Sequence, residues 1–267
     1  MNQSRARWIA VVALAAVLVA GVLSAGCVSE LSPLPNEVKN HGNLIAVNPQ
    51  YVSSATIMTL LWSPEEYEPE MFQMIDRYLD KNAPVLETGV GIGVIMAYIE
   101  NNLMPDAYHI ALEPNPYLKP LLEETIDKNG LEVDLRSFAI AYPLYGNTVE
   151  LPISKNLMKN TLSENSPGEK VSVVAADIAT VLSASPIYNR TDVTLVIEAN
   201  DVLSEILKNE GSTLKDHVKT IIAETWGMSD EQITVLTAVA RENGYRPVAF
   251  SDKGLNDLIV LVFTRQT

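Results

Sequence analysis

Thiols and imidazoles are scarce in this chain of 267 residues, which contains one cysteine, Cys27, and three histidines. A single cysteine excludes both a disulfide within the chain and a metal site made of several thiolates. His41, His109 and His217 are scattered without the spacing of metal ligands, so we predict no metal site. The serines follow no nucleophile-elbow pattern, which argues against a hydrolase of that type.

Basic residues are also few, with 19 lysines and arginines against 33 aspartates and glutamates and a formal net charge of -14 at pH 7. Nucleic-acid backbones and anionic lipid surfaces attract clustered positive charge, so this balance argues against both as partners of the folded body. We therefore predict no nucleic-acid partner. The length suits one α/β domain with a substantial core.

One long apolar run, Trp8 to Leu23, lies near the amino terminus and follows Arg5 and Arg7. The residues Leu-Ser-Ala-Gly then precede Cys27, which resembles a prokaryotic lipoprotein signal with Cys27 as the acylated residue. We predict a signal peptide over residues 1–26. The run is shorter than the about 20 residues of a membrane span, although an uncleaved anchor stays open. In both cases the basic residues remain on the cytoplasmic side, which predicts a membrane-anchored body on the extracytoplasmic side.

The segment 27–53 is polar, contains several prolines and shows no sustained periodicity, so we predict a tether there. The domain is predicted over residues 54–267 and begins with helical patterns at Ser54–Trp62 and Pro69–Lys81. Residues 143–170 are rich in turn-forming residues and are predicted as a long excursion between elements, of the kind that often carries substrate recognition.

From residue 84 onward, strand and helix patterns alternate, which predicts a parallel sheet with helices on both faces. The turn-rich loop 251–257 is short enough for a hairpin, so the last strand should run antiparallel to its neighbour. The seven predicted strands are 84–88, 108–112, 132–138, 193–198, 219–224, 246–250 and 258–264.

A glycine-rich turn follows the first of these strands. The strand ends at Glu87, the glycines Gly89, Gly91 and Gly93 lead into a helix, and the next strand ends in a second acid, Glu113. This βαβ unit is typical of nucleotide binding, because glycines let the backbone approach a ligand closely. A carboxylate at the tip of the second strand can accept two hydrogen bonds from a ribose diol.

The spacing of the glycines discriminates between nucleotides. A dinucleotide fingerprint, G-x-G-x-x-G, would need glycine or alanine where this chain has Val94. A nicotinamide-dependent oxidoreductase therefore fits the βαβ unit without fitting the glycine register. Instead, Glu87, the G-x-G-x-G turn and Glu113 resemble the S-adenosylmethionine site of class I methyltransferases.

Further along the chain, the resemblance narrows to the FkbM-type methyltransferases, whose element order the chain follows over residues 70–265. The resemblance implies a Rossmann-like class I methyltransferase fold, with a seven-stranded, mostly parallel sheet, an antiparallel last strand and helices on both faces. It also implies S-adenosylmethionine as cofactor and O-methylation of a small-molecule or sugar acceptor. The matching segments are 85–89, 112–116, 118–131, 175–178 and 218–226.

In a site of this family, the first acid lies near the methionine end of the cofactor and the glycines pass beneath it. The second acid holds the ribose, and the third strand lies beside the adenine. Catalysis would consist mostly of proximity and alignment of the reacting atoms. The cofactor-binding residues that the resemblance implies are Glu87, Thr88, Gly89, Gly91, Gly93, Glu113, Asn115, Ser137, Phe138 and Ala139.

One segment departs from the family pattern. Where the family reads Lys-Ile-Asp-Val-Glu-Gly-Ala-Glu, this chain reads Val-Ile-Glu-Ala-Asn-Asp-Val-Leu over residues 196–203. Glu198 keeps an acid and, with Asp201, is our catalytic candidate for positioning an acceptor hydroxyl or acting as general base. Both acids could equally cap a helix or face solvent. Glu224 and Trp226 could form an acceptor wall or merely close their strand.

The departure and the predicted export favour a second hypothesis. S-adenosylmethionine is made in the cytoplasm, so an exported domain would not ordinarily meet it. The alternative function is a non-catalytic, membrane-anchored lipoprotein that uses a degenerate methyltransferase fold as a binding module. An inward-facing body, or an incorrect signal prediction, would also resolve the conflict.

Overall fold

The computed structural model describes residues 34–142, 146–153, 169–199, 202–251 and 258–266. The predicted signal peptide, Cys27 and the catalytic candidate Asp201 lie outside the described residues. Within the part of the chain that is described, no helix is both long and apolar enough to cross a membrane.

Twelve strands are numbered β1 to β12 along the described part of the chain, with the bounds given at the end of this paragraph. Seven of them form a central sheet in the spatial order β5-β4-β3-β9-β10-β12-β11. Strands β5, β4, β3, β9 and β10 run parallel to one another, and β12 runs antiparallel to both its neighbours, β10 and β11. The predicted Rossmann-like fold with an antiparallel last strand is therefore confirmed. The strands of the described residues are β1 (Glu37–Asn40), β2 (Asn43–Ala46), β3 (Val85–Thr88), β4 (His109–Leu112), β5 (Val133–Arg136), β6 (Phe138–Ile140), β7 (Thr148–Ile153), β8 (Glu169–Ala176), β9 (Val193–Ile197), β10 (Val218–Trp226), β11 (Tyr245–Phe250) and β12 (Leu258–Arg265).

The strands β3, β4 and β9 at the centre of the sheet are buried along their whole length. Parallel strands covered on both faces have nearly continuous apolar sequences, which is why the sequence located them within two residues of their bounds. The helices are α1 (Ser54–Trp62), α2 (Pro69–Tyr78), α3 (Val94–Asn102), α4 (Lys119–Asn129), α5 (Ile178–Ser183), α6 (Val202–Asn209), α7 (Gly211–His217) and α8 (Asp230–Glu242). Helix α2 ends before the predicted Lys81, because Leu79 adopts an extended conformation.

The two faces of the sheet differ in chemistry because side chains alternate along each strand. On one face, Leu86 and Leu195 join a large apolar cluster that includes residues of α5, α6, α7 and α8. On the other face, Glu87 and His109 point toward α3, whose Glu100 contacts the histidine. Helix α2 packs on this second face against β10 and β12. Helices thus cover both faces, as predicted.

A β-hairpin at residues 37–46 precedes α1, inside the segment 27–53 that was predicted as a tether. Strands β1 and β2 pair antiparallel, and the backbone N–H of Ala46 donates to the Thr125 hydroxyl of α4 over 3.0 Å. The Asn129 side chain of α4 makes two further bonds to Leu44. Residues 37–46 are therefore folded onto α4, which their polar sequence did not reveal.

A second small sheet, in the order β6-β8-β7, corrects two other predictions. The predicted strand 132–138 ends at Arg136, and Phe138 starts β6 in this other sheet. The predicted excursion 143–170 contains β7 and the start of β8, which pair antiparallel. A separate apolar cluster holds this sheet together, formed by Ala139, Leu151 and Val173.

Candidate ligand site at the carboxyl ends of the central strands

The glycine turn between β3 and α3 packs directly against the end of β9. A Cβ on Gly89, whose φ is +86°, would lie 3.0 Å from the backbone carbon of Glu198, so a side chain there would collide with fixed backbone. The Glu198 N–H donates to the Thr88 carbonyl over 2.9 Å, and the Gly89 N–H donates to the Leu112 carbonyl over 3.0 Å. The turn, the end of β4 and the end of β9 therefore meet at one edge of the sheet, where open α/β sheets bind ligands.

Glu113 lies at the end of β4 and holds the glycine turn. The residue is only 7% exposed. Its two carboxylate oxygens accept from the Gly91 N–H and the Asn115 N–H, each over 2.8 Å. Burial raises the pKa of Glu113 to about 7, although these two backbone N–H groups oppose the shift. Each carboxylate oxygen has a second lone pair, so Glu113 can accept ligand hydroxyl groups while it keeps the turn in place.

Two neighbours of Glu113 present features that suit a ligand. Gly91 has a φ of +60°, and a Cβ added there would meet no atom closer than 3.9 Å, so its backbone borders open space. Asn115 is only 1% exposed, and its Nδ2 has no hydrogen-bond partner among the described residues. A buried donor without a partner costs free energy, which a ligand acceptor would recover.

Of the remaining predicted cofactor residues, Gly93 and Ser137 lie beside this turn or Glu113. Gly93 is the residue before α3, and a Cβ there would come 2.7 Å from Cδ2 of Leu122. The Glu113 N–H donates to the Arg136 carbonyl over 3.1 Å, which places Ser137 close to Glu113. Phe138 is partly buried against the main core, and Ala139 packs inside the small sheet. The structure thus places Ser137 beside Glu113, while Ala139 lies in the apolar cluster of the small sheet.

Glu87 is fully buried and forms an ion pair with a histidine that the sequence analysis left without a role. His109 Nε2 lies 2.8 Å from Glu87 Oε2, and its Nδ1 lies 3.1 Å from Glu100 Oε2. Burial alone would lower the pKa of His109, but the hydrogen bonds and charges of Glu100 and Glu87 raise it to about 9. His109 is therefore positively charged at neutral pH. Glu87 keeps its predicted place beside the glycine turn, with one oxygen committed to this ion pair.

A cluster of carboxylates lies next to Glu87. Glu68 precedes α2, Glu198 follows β9 and Glu224 lies in β10, and each offers an oxygen within 4.8 Å of the other two. Burial and the charge of Glu70 raise the pKa of Glu68 to about 7, against a hydrogen bond from Tyr67. Burial and neighbouring carboxylates, Glu87 among them, hold the pKa of Glu198 well above its usual value. Burial and the charges of Glu68 and Glu70 likewise hold the pKa of Glu224 well above its usual value. Glu198 and Glu224 were predicted at this edge, whereas Glu68 was missed because it precedes a helix.

Two candidates receive no structural description: Asp201 and the side chain of Trp226 lie outside the described residues. A cavity of about 300 Å³ lies elsewhere, between α5 and α7, with Ser183, Asp216 and His217 in its lining. That cavity includes none of the residues at the carboxyl edge, so it contributes nothing to the candidate site.

No family model matches this chain. No curated protein matches it in sequence. Similar solved structures include precorrin-6y C5,15-methyltransferase of Geobacter metallireducens GS-15, at 15% identity over 83% of this chain and 93% of that chain, with a TM-score of 0.44. A methyltransferase of Pyrococcus furiosus shares 12% identity over 85% of this chain and 91% of that chain, with a TM-score of 0.48. TYW2 of M. jannaschii, crystallised with AdoMet, shares 18% identity over 88% of this chain and 90% of that chain, with a TM-score of 0.45. At these values the likeness carries no argument about the present chain, whose fold rests on its own strand order.

Proposed function

We propose that this protein is an S-adenosylmethionine-dependent methyltransferase that methylates an oxygen of a small molecule or sugar. The observation that carries the proposal is the buried Glu113 carboxylate, which accepts from Gly91 and Asn115 at the tip of β4. An acid in this place, beside a glycine turn open at Gly91, suits a ribose with two hydroxyl groups. The cofactor would supply an electrophilic methyl group.

Four features of the site fit such a cofactor: Glu113, Gly91, Asn115 and the acids Glu87 and Glu198. Glu113 would accept the ribose hydroxyl groups, and Gly91 would let the backbone pass close to the ligand. The unpartnered Nδ2 of Asn115 would donate to an acceptor atom of the ligand. Glu87 and Glu198 lie beside the turn where the cationic methionine end would lie, and an ionised carboxylate there would favour binding of a positively charged group.

On the acceptor side, Glu198 has the properties of a general base. In its ionised form, this carboxylate can accept the proton that O-methylation releases. The carboxylate lies at the end of β9, beside the turn that would hold the cofactor. We propose that it positions the acceptor hydroxyl and takes its proton, with Asp201 as a second candidate for the same role.

Gly91→Ala should weaken S-adenosylmethionine binding at least about tenfold, because a methyl group would intrude where the ligand passes. Isothermal titration of the full-length chain in mild detergent measures the affinity. Gly130→Ala is the matched control, since Gly130 has a φ of +62° and open space around its Cβ position. Both substitutions carry a similar backbone strain of about 1 kcal/mol, so their melting temperatures should agree while only Gly91→Ala loses affinity. A well-folded wild-type chain that binds no S-adenosylmethionine would overturn the proposal and leave the exported binding module.

We also propose that residues 1–26 act as a lipoprotein-type signal, that Cys27 is acylated and that the body lies on the extracytoplasmic side. The support is the sequence alone, with Arg5 and Arg7 before the apolar run and small residues before Cys27. A reporter active only outside the cytoplasm, fused to the carboxyl terminus, should be active with the native chain and lose membrane anchoring with Cys27→Ser. An active cytoplasmic reporter would contradict the proposed orientation.

A further inference from the structure

We propose that Glu68, Glu198 and Glu224 form a binding site for a divalent cation that prefers oxygen ligands. The inference goes beyond the proposed methyl transfer and does not depend on it. The three residues come from distant parts of the chain, at the start of α2, just after β9 and near the carboxyl end of β10. Only the fold brings them together.

The distances allow one ion to contact all three side chains. Each residue offers a carboxylate oxygen, and these oxygens lie within 4.8 Å of one another. Calcium binds oxygen at about 2.3–2.6 Å and magnesium at about 2.0–2.1 Å, so two ligands on opposite sides of one ion lie about 4–5 Å apart. Carboxylate oxygens are the ligands that these hard cations prefer.

Several oxygens at this place are buried and lack a partner. Among the described residues, Oε2 of Glu68 and Oε1 of Glu198 are buried atoms without a hydrogen-bond partner. Glu87 supports the inference independently. It is fully buried, its Oε2 pairs with His109, and its Oε1 has no partner within the described part of the chain, although it lies close enough to the Glu198 carboxyl to raise that group's pKa. Buried acceptors of this kind normally have a donor or a metal ion.

In the described ranges, no lysine, arginine or histidine forms an ion pair with Glu68, Glu198 or Glu224. Tyr67 forms a hydrogen bond with Glu68. Burial and the charges of all three carboxylates raise the pKa of Tyr67, so its hydroxyl stays protonated and can satisfy one oxygen. Glu70 adds a further negative charge beside Glu68 and Glu224. Like charges this close together need protons or a cation between them.

The test is a titration of the full-length chain with Ca²⁺, Mg²⁺ or Mn²⁺ alone at pH 8.5, by calorimetry and, for Mn²⁺, by electron paramagnetic resonance. We expect one ion per chain. Loss of an outer neighbour of a metal ligand typically costs 10–100-fold in affinity, so loss of a ligand itself in Glu198→Gln should cost at least about 100-fold. Glu66→Gln is the matched control, because Glu66 is an exposed carboxylate two residues from Glu68, and it should bind the ion like the wild type.

Thermal unfolding keeps the result interpretable if a variant changes stability. The ion should raise the melting temperature of the wild type and of Glu66→Gln but not that of Glu198→Gln or Glu68→Gln. Without the ion, both cluster variants should melt at or above the wild-type temperature, since each removes a crowded charge. Absence of ion binding to the folded wild type, or binding that survives both cluster substitutions, would overturn the site. The titration contains no S-adenosylmethionine, so its failure is separate from a failure of the proposed function.

Discussion

Glu113→Ala should lower the affinity for S-adenosylmethionine by about 100-fold or more. Hydrogen bonds to a charged group contribute about 1.5–3 kcal/mol each, and the substitution removes two that the ribose would form. It also frees the Gly91 and Asn115 N–H groups, which now donate to the carboxylate, so the glycine turn loses its anchor. Isothermal titration measures the effect. Glu132→Ala is the control, because Glu132 is an exposed acid that follows helix α4. Unchanged affinity in Glu113→Ala would remove the ribose role of this residue.

The pH dependence of S-adenosylmethionine binding is a second test of the role of Glu113. Burial raises the pKa of Glu113 from 4.5 to about 7, and only the ionised carboxylate accepts from both ribose hydroxyl groups without a proton of its own. Affinity should therefore rise between pH 6 and pH 8 and then level off. Because the folded pKa lies above the unfolded value, ionisation of Glu113 destabilises the free protein progressively as the pH rises from 4.5 through 7. A bound ligand should offset that loss.

The sheet was predictable because its strands are short, apolar and separated by clear turns. Strands β3, β4 and β9 are buried throughout, so their sequence has few polar residues and their bounds are sharp. The hairpin β1–β2 gives no such signal, since bonds from Thr125 and Asn129, far along the chain, hold it in place. The break between β5 and β6 was equally hidden, because only the partner strands decide that Phe138 joins a different sheet.

The residues of the candidate site also differ in how far the sequence predicts them. Glu113 and Glu198 follow parallel strands and Glu224 lies near the carboxyl end of another, and the carboxyl ends of such strands meet at one edge of the sheet. Sequence position alone therefore brought these acids together. Glu68 precedes a helix, and no spacing rule links it to a strand end. A search for metal ligands based on histidine and cysteine spacing also passes over a cluster made of glutamates alone.

His109 could have been found from strand register, because a residue at the start of β4 lies beside β3 and shares a face with Glu87. The scattered sequence positions of the histidines, by contrast, argue only against a shared metal site. In the structure His109 supplies the positive charge that allows Glu87 to be fully buried next to the carboxylate cluster. Its role is therefore to hold Glu87 in place at the base of the candidate site.

His109→Leu should lower the free energy of unfolding by about 3 kcal/mol at pH 6, because a rise in pKa from 6.5 to about 9 corresponds to that amount at 1.36 kcal/mol per unit. The folded pKa lies above the unfolded value, so the stabilisation is complete below pH 6.5 and is lost as the pH rises through 9. Denaturant unfolding of both proteins from pH 6 to pH 9.5 should show their difference shrinking. The double variant Glu87→Gln/His109→Leu should recover part of the loss, since it leaves only Glu100 of the two carboxylates without the imidazolium. A difference independent of pH would mean that His109 contributes packing rather than charge.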